Sequence, residues 1–246
     1  MRKLFALLLG GALIAPSLTA QTLSQRLHAA ADGTIRLSFA ARPGVCADDA
    51  DGIKVGHQSD EWQQDCQPRL VRVALSLRDH RVHSVRTYVG GRWLPQDSVV
   101  DLGTVGAREA AEYFLGLAEQ TGVGGDLLLP AVLADSVTIW PSLVRIARNE
   151  RLSTKARGRA VFWLGQAAGE AAGQALDSIA GDDRGDRDVR KQAIFALSQR
   201  DRNESVPALI RIARTNTDPV LRKTALFWLG QSEDPRAISL FEEILK

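Results

Sequence analysis

The chain has 246 residues, 31 basic and 29 acidic side chains, and a formal net charge of +2. The excess comes from Arg2 and Lys3, because residues 1–20 contain no acidic side chain, and 29 of each sign remain in residues 21–246. A neutral remainder excludes the basic field that nucleic-acid binding requires. Its length suits one repeat domain with a small additional domain.

Residues 1–20 have the pattern of a secretory signal peptide. Arg2 and Lys3 precede an apolar run, Leu4–Ile14, and the small residue Ala20 marks the expected cleavage site. The run is shorter than the roughly 20 residues that cross a bilayer. We therefore expect export to the periplasm or the outside of a bacterial cell, with no membrane span after cleavage. An uncleaved N-terminal anchor is the alternative.

Residues 21–104 predict a small α/β region. A short helix is expected near Leu23–Ala30. Alternating apolar and polar residues then predict strands over 35–41, 71–77 and about 82–89, with a turn at Arg78–Arg81. These strands are expected to form an antiparallel sheet.

The two cysteines of the chain, Cys46 and Cys66, lie in this region. In an exported chain an isolated pair is most simply a disulfide, here closing a polar loop and stabilising the fold by about 3 kcal/mol. A free or metal-bound thiol pair is the alternative. The acidic segment Asp48–Gly52 lacks the spacing of a calcium-binding loop and is expected to be solvated.

From about Val105 the periodicity becomes helical. Helices are expected over Ala107–Gln120 and Leu127–Ala134, with a break at Gly122–Gly125. A repeat follows. Its most similar segments are 160–166, 193–199 and 225–231, spaced by 33 and 32 residues, a period typical of stacked helical hairpins.

The helix starts agree with this repeat. Ser153, Asp186 and Asp218 each lie nine residues before the repeated Phe and are good N-caps, because a short side-chain oxygen accepts from a free amide of the first turn. Asp234 followed by proline predicts a last helix, Arg236–Leu245. Each unit is thus predicted to be a first helix, a polar loop and a second helix.

Residues 136–246 resemble the HEAT-repeat family, especially its short bacterial form, which is also found in phycobilisome lyases. The resemblance rests on an apolar residue followed by arginine, then on spaced alanine and leucine-glycine. The pairs are Ala156-Arg157, Val189-Arg190 and Leu221-Arg222. It implies a mostly α fold, a right-handed α-solenoid of three to four units over 105–246. It implies no single function, since this fold hosts scaffolds, enzyme subunits and transport factors.

One set of equivalent positions in the second helices, here called a column, points away from the core. With successive residues roughly 100° apart and the Ala156 column at zero, Ala160, Trp163 and Leu164 fall within about 80° and form the core stripe. The column at about 240° usually carries polar residues in HEAT repeats, on the concave side. Here it contains Phe162, Phe195 and Phe227, and beside it lie Gln166, Gln199 and Gln231.

Two explanations of this column are open. Either the chain covers it, through a neighbouring repeat or the N-terminal sheet, or it forms an aromatic ladder that receives a protein partner, as exposed apolar surface often does. The second explanation makes the Phe and Gln columns candidate partner-binding residues. The Gln column has a structural alternative, in which it satisfies turn amides at the helix end. Arg157, Arg190 and Arg222 are expected to be structural, each tying a loop carbonyl or an acid of an adjacent unit.

Catalytic and metal sites find little support in the sequence. The resemblance to HEAT-type metal enzymes would require His-Glu pairs within the repeats, and no histidine lies there. The four histidines are His28, His57, His80 and His83. No nucleophile elbow, phosphate loop or dinucleotide motif occurs, and Arg184-Gly185-Asp186 is too short to argue for adhesion.

The sequence therefore favours an exported protein-binding scaffold or adaptor without a cofactor or metal. The alternatives are an enzyme or enzyme accessory subunit with its chemistry in the β region near the histidines, or a structural module that self-associates through its last helix.

Overall fold

The structure is a computed structural model, and it describes residues 21–45, 60–63, 69–121 and 124–246. Several predictions fall outside this part of the chain. They concern the signal segment 1–20, the acidic segment 48–52, His57, and the pair Cys46 and Cys66.

The N-terminal region begins with a short helix, α1 (Leu23–Ala29). It starts with a capping box, in which the Thr22 hydroxyl accepts from the Gln25 amide and the Gln25 side chain accepts from the Thr22 amide. Two apolar side chains of α1, Leu23 and Leu27, are buried in the core.

A four-stranded sheet follows, in the order β4-β3-β1-β6. Strand β3 pairs antiparallel with both β1 and β4, as predicted, whereas β6 pairs parallel with β1. The sequence did not predict β6, because the left-handed Gly103 and a shift in register interrupt its alternation. Two short strands, β2 and β5, form a separate antiparallel pair. The strands are β1 (Gly33–Ala40), β2 (Trp62–Gln63), β3 (Leu70–Arg78), β4 (Arg81–Val89), β5 (Arg92–Trp93) and β6 (Val99–Thr104).

The predicted turn between β3 and β4 is present. Asp79 and His80 have φ values of 50° and 55°, the left-handed conformation that a two-residue hairpin turn of this hand needs. Both of their amides donate to the carboxylate of Asp32, at 2.7 and 2.9 Å. These bonds hold the pKa of Asp32 below its ordinary value.

The helical region begins directly after the sheet. The helices predicted over 107–120, 127–134 and 236–245 are present to within three residues, but Gly124 and Gly125 of the predicted break belong to a helix. The described residues of this region contain nine helices. They are α2 (Ala107–Thr121), α3 (Gly124–Leu133), α4 (Trp140–Arg148), α5 (Thr154–Gly165), α6 (Glu170–Ala180), α7 (Arg187–Ser198), α8 (Arg202–Thr215), α9 (Pro219–Gly230) and α10 (Pro235–Ile244).

The predicted N-caps are confirmed. The side chains of Ser153, Asp186, Asp218 and Asp234 each accept from an amide in the first turn of the helix that follows.

The repeats stack in two layers. The first helices (α4, α6, α8 and α10) form one layer, and the second helices (α5, α7 and α9) form the other. Successive second helices pack more extensively on one another than successive first helices do, so the second helices form the inner, concave side of the curve. In the described part of the chain, no helix has the length and apolarity that a membrane span requires.

Candidate functional site

The candidate site is a row of aromatic side chains along the second helices, here called the aromatic stripe. The rings of Phe162 and Trp163 meet edge to face with centroids 5.0 Å apart, and Phe227 and Trp228 repeat this arrangement two units later at the same distance. Phe195 also lies 5.0 Å from Trp228, so the last three rings form one continuous cluster across two units. Its members are Phe162, Trp163, Phe195, Phe227 and Trp228.

The phenylalanines of this stripe are not covered by the part of the chain that the structure describes. Phe162 is 43% exposed, Phe195 39% and Phe227 58%, although each lies in a helix whose opposite side is fully buried. The first explanation of the Phe column, burial by a neighbouring repeat or by the sheet, is therefore wrong for the single chain. The surface is apolar and lies on the concave side.

The stripe is interrupted in the middle unit. Where the outer units have Trp163 and Trp228, the middle unit has Ala196, which is buried. A Cβ added to Gly165 would lie only 2.9 Å from the Cβ of Ala196. The Ala side chain therefore lets α5 and α7 approach closely, whereas α7 and α9 carry Ser198 and Trp228 at the equivalent places and pack less extensively. As a result, the stripe consists of one pair of rings, Phe162 and Trp163, and a separate cluster of three rings in the next two units.

The Gln column caps the second helices through its backbone rather than its side chains. Gln166, Gln199 and Gln231 are the C-cap residues, and each backbone amide donates to carbonyls of the last turn. The side chain of Gln199 donates to the hydroxyl of Ser198. All three side chains are exposed beside the aromatic stripe, where they offer both hydrogen-bond donors and acceptors.

The Arg column joins loops to neighbouring helices. Buried Arg157 donates to Asp186, the N-cap of the next second helix, at 3.0 Å. Buried Arg190 donates to the carbonyl of Ala180, to Asp183 and to Asn216 of the next unit. The guanidinium of Arg222 donates to the carbonyls of Asn216 and Thr217. These arginines are structural ties, and Arg157 and Arg190 are buried while Arg222 is half-buried.

A second polar cluster lies on the sheet, and the sequence analysis missed it. Glu61 accepts from Arg86 at 2.6 and 3.1 Å and from the hydroxyl of Tyr88, and it lies 3.9 Å from buried Arg36. Burial raises the pKa of Glu61, but the bonds from Arg86 and Tyr88 outweigh burial and hold that pKa below its ordinary value. Arg36 also lies over the ring of Trp93, 4.6 Å from its centroid.

A signal for this cluster was present in the strand alternation. The register of the sheet aligns Arg36, Ala74 and Arg86 across three strands, and it aligns Arg72 on the same face. Arginines on a face that is covered require an acid, and Glu61 supplies it.

The histidines do not assemble a catalytic or metal centre in the described residues. His28 and His80 line a cavity of about 690 Å³ between α1, α2 and the β3–β4 hairpin, together with Glu112 and Tyr113. Burial raises the pKa of Tyr113. No ion pair joins a histidine to a carboxylate there, and no group of three or more potential ligands is placed to hold a metal within the described ranges.

The architecture defines the class of this region as an α-solenoid of helical hairpins. Comparison with protein families agrees, since the model of HEAT repeats matches residues 141–227 and 182–246. Residues 141–246 of the chain therefore consist of HEAT repeats. No curated protein matched the chain.

Proposed function

We propose that this protein is an exported scaffold or adaptor that binds a protein partner on the concave face of its HEAT repeats. The observation that carries the proposal is the exposure of three phenylalanines in equivalent positions on that face. HEAT repeats typically serve as scaffolds for protein interactions, and their stacked units offer an extended concave surface. The proposed binding residues are the aromatic stripe and the flanking Gln166, Gln199 and Gln231.

The chemistry of the stripe suits a protein partner. Aromatic rings contribute large contact areas at low conformational cost and dominate the energetics of many interfaces. The glutamine side chains beside them supply a polar rim that adapts to backbone groups of a partner. Neither feature favours a charged polymer, which agrees with the neutral charge of residues 21–246.

The test is affinity capture with the exported protein in which Phe162, Phe195 and Phe227 are all replaced by Ser. A partner of the stripe should be captured by the unaltered protein and lost with the triple variant. Ile238→Ser is the matched control, because Ile238 is 56% exposed but lies on α10, in the other layer. Retention of the partner by a correctly folded triple variant would contradict the proposal.

Self-association through α10 is the second candidate, and the same control tests it. This helix exposes Ile238 in its first turn and Ile244 at its end, and the C-cap residue Leu245 is 86% exposed. A module that associates through α10 should sediment as an oligomer, and Ile238→Ser should shift it to the monomer. Sedimentation of the unaltered protein as a monomer at micromolar concentration excludes this candidate.

The intact mass of the secreted protein tests both the removal of the signal segment and the disulfide. We expect loss of residues 1–20 and a mass two hydrogens below that of the reduced chain, from a bond between Cys46 and Cys66. Alkylation of both cysteines without prior reduction would rule out the disulfide, and an unshortened exported chain would rule out cleavage after Ala20.

A further inference from the structure

A cavity of about 460 Å³ lies where the aromatic stripe meets the N-terminal region. Trp163 and Gln166 form its wall on the repeat side, and Trp163 is in ring contact with Phe162. Arg42, Ile139 and Trp140 line it from the other side. The cavity thus continues the stripe inward, and its volume is within the range of small ligand sites.

The polar groups of this cavity are donors without a matching acid. None of the described residues that line it is Asp or Glu, and Asp135, between the lining residues Ala134 and Ser136, is not among them. The guanidinium of Arg42 has no hydrogen bond or ion pair to any described residue, whereas most arginines of the repeats have one. Gln166 and Thr138 add further donors to the lining.

The backbone fixes Arg42 at this place. Its amide donates to the carbonyl of Leu133 at 2.9 Å, and Ala41 pairs with Ala134, so the end of β1 is joined to the end of α3. Helix α4 begins at the cavity wall without a side-chain cap, because its N-cap residue is Ile139. The carboxyl ends of α3 and α5 also lie at this cavity, and their carbonyl groups carry partial negative charge that disfavours an anion. Arg42 must therefore supply most of the attraction for an anionic ligand.

The walls of the cavity are apolar. Val132, Ile139 and Trp140 stand beside the donors within one space. A ligand that fits must therefore carry an apolar group and a carboxylate close together. The carboxyl-terminal residue of a polypeptide has both on a single Cα, whereas an internal Asp or Glu has only the carboxylate.

We propose that this cavity binds the carboxyl-terminal residue of the protein partner, with the free carboxylate held by Arg42 and the apolar side chain packed on Ile139 and Trp140. The proposal rests on the proposed function, because it assigns the inner end of the same concave surface. It defines the partner by chemistry, as a chain that ends in an apolar residue with a free carboxylate.

The test uses fluorescein-labelled pentapeptides of sequence Gly-Ser-Gly-Ser-X, with X Val, Leu, Ile or Phe, each made as the free acid and as the amide. Fluorescence anisotropy with the unaltered protein should show saturable binding of at least one free acid and binding at least about tenfold weaker for its amide, because the charge-assisted bond is lost. Binding of no free acid, or equal binding of acid and amide, overturns the proposal.

Variants locate the site. Arg42→Gln should weaken binding of the free-acid peptide about tenfold and leave binding of the amide peptide unchanged. Arg159 is an exposed arginine of α5 outside the cavity, so Arg159→Gln should change the binding of neither peptide. An amidated peptide with an internal Glu that binds as well as the acid would also overturn the proposal. The acid–amide comparison needs no variant, so it holds even if Arg42→Gln does not fold.

The two proposals fail separately. If the triple Phe variant loses the captured partner but Arg42→Gln retains it, the function stands and the cavity assignment falls. If free acids bind through Arg42 while the triple Phe variant retains the partner, the cavity stands and the stripe is not the interface.

Discussion

Gly165 and Ala196 hold the second helices of two successive units in direct contact, since a Cβ on Gly165 would lie 2.9 Å from the Cβ of Ala196. We expect Gly165→Ala to lower the free energy of unfolding by about 1–3 kcal/mol, because α5 and α7 must move apart. The matched control is Gly230→Ala, where the nearest atom, Phe241 Cζ, is 4.0 Å away. That change should be neutral or stabilising by up to about 1 kcal/mol. Urea unfolding measures both, and equal effects at the two glycines would contradict the close approach.

The half-exposed phenylalanines should contribute little to folding. Phe195→Ala is expected to cost about 1–2 kcal/mol, less than the 3–5 kcal/mol typical of a fully buried Phe. Phe227→Ala should cost less than Phe195→Ala, because Phe227 is the most exposed of the three. Leu164→Ala, at a fully buried position in α5, should cost about 2–5 kcal/mol. If Phe195→Ala lowered the free energy of unfolding more than Leu164→Ala, Phe195 would have to be part of the hydrophobic core.

Arg190 should be the most important arginine of its column for stability. It is buried and donates to Ala180, Asp183 and Asn216, so Arg190→Ala removes three hydrogen bonds, two of them to the buried Ala180 carbonyl and Asn216 side chain. We expect a loss of about 1–3 kcal/mol in chemical denaturation. Arg159→Ala, at an exposed position of α5, should stay within about 0.5 kcal/mol of the unaltered protein. If the two variants are equally stable, the ties of Arg190 add nothing to folding.

Asp234 should make stability depend on pH in acid. The hydrogen bond from Arg236 and that from the Arg236 amide lower the pKa of Asp234 to about 2. A lowered folded pKa stabilises the protein fully above the ordinary value of 3.8, and this contribution disappears as the pH falls through about 2. The melting temperature of the unaltered protein should exceed that of Asp234→Asn at pH 5, and the gap should narrow strongly by pH 2 and close below it. A gap that stays constant would show that the carboxylate charge is not responsible.

Glu61 should be essential to the sheet. Its carboxylate lies between Arg36 and Arg86, so Glu61→Gln leaves a buried guanidinium with no acid beside it. We expect a loss of about 3 kcal/mol in the free energy of unfolding, at the low end for a buried pair because Arg86 is partly exposed. Glu119→Gln removes the exposed pair with Arg145 and should cost at most about 1 kcal/mol. Similar losses in the two variants would argue against a special role for Glu61.

The repeats could be predicted because their signals are local. The spacing of the helices, the N-caps and the core stripe each depend on residues within one unit, and the structure contains all of them. The phenylalanines of the aromatic stripe were located by the same periodicity, but Trp163 was assigned to the core stripe and is only partly buried. The exposure of the aromatic stripe could not be predicted, because exposure depends on what the rest of the chain packs against.

Contacts between distant segments were missed. Glu61 lies in a stretch without periodicity, and only the register of three strands brings Arg36 and Arg86 to it. The cavity at Arg42 likewise depends on the pairing of Ala41 with Ala134. The close approach of α5 and α7 left one visible sign, the Ala196 that interrupts the Trp163 and Trp228 positions, but its meaning required the facing Gly165.

The N-cap of α7 also links successive units energetically. The Asp186 carboxylate accepts from the first-turn amides of α7 and, at the same time, from Thr154 and Arg157 of α5. The Asp218 carboxylate likewise accepts from a first-turn amide of α9 and from Arg187 of α7. Fraying of one second helix therefore weakens the start of the next, so neighbouring repeats should unfold together rather than independently. The concave surface then remains intact as a whole or is lost as a whole, and a bound partner that stabilises one end protects the other.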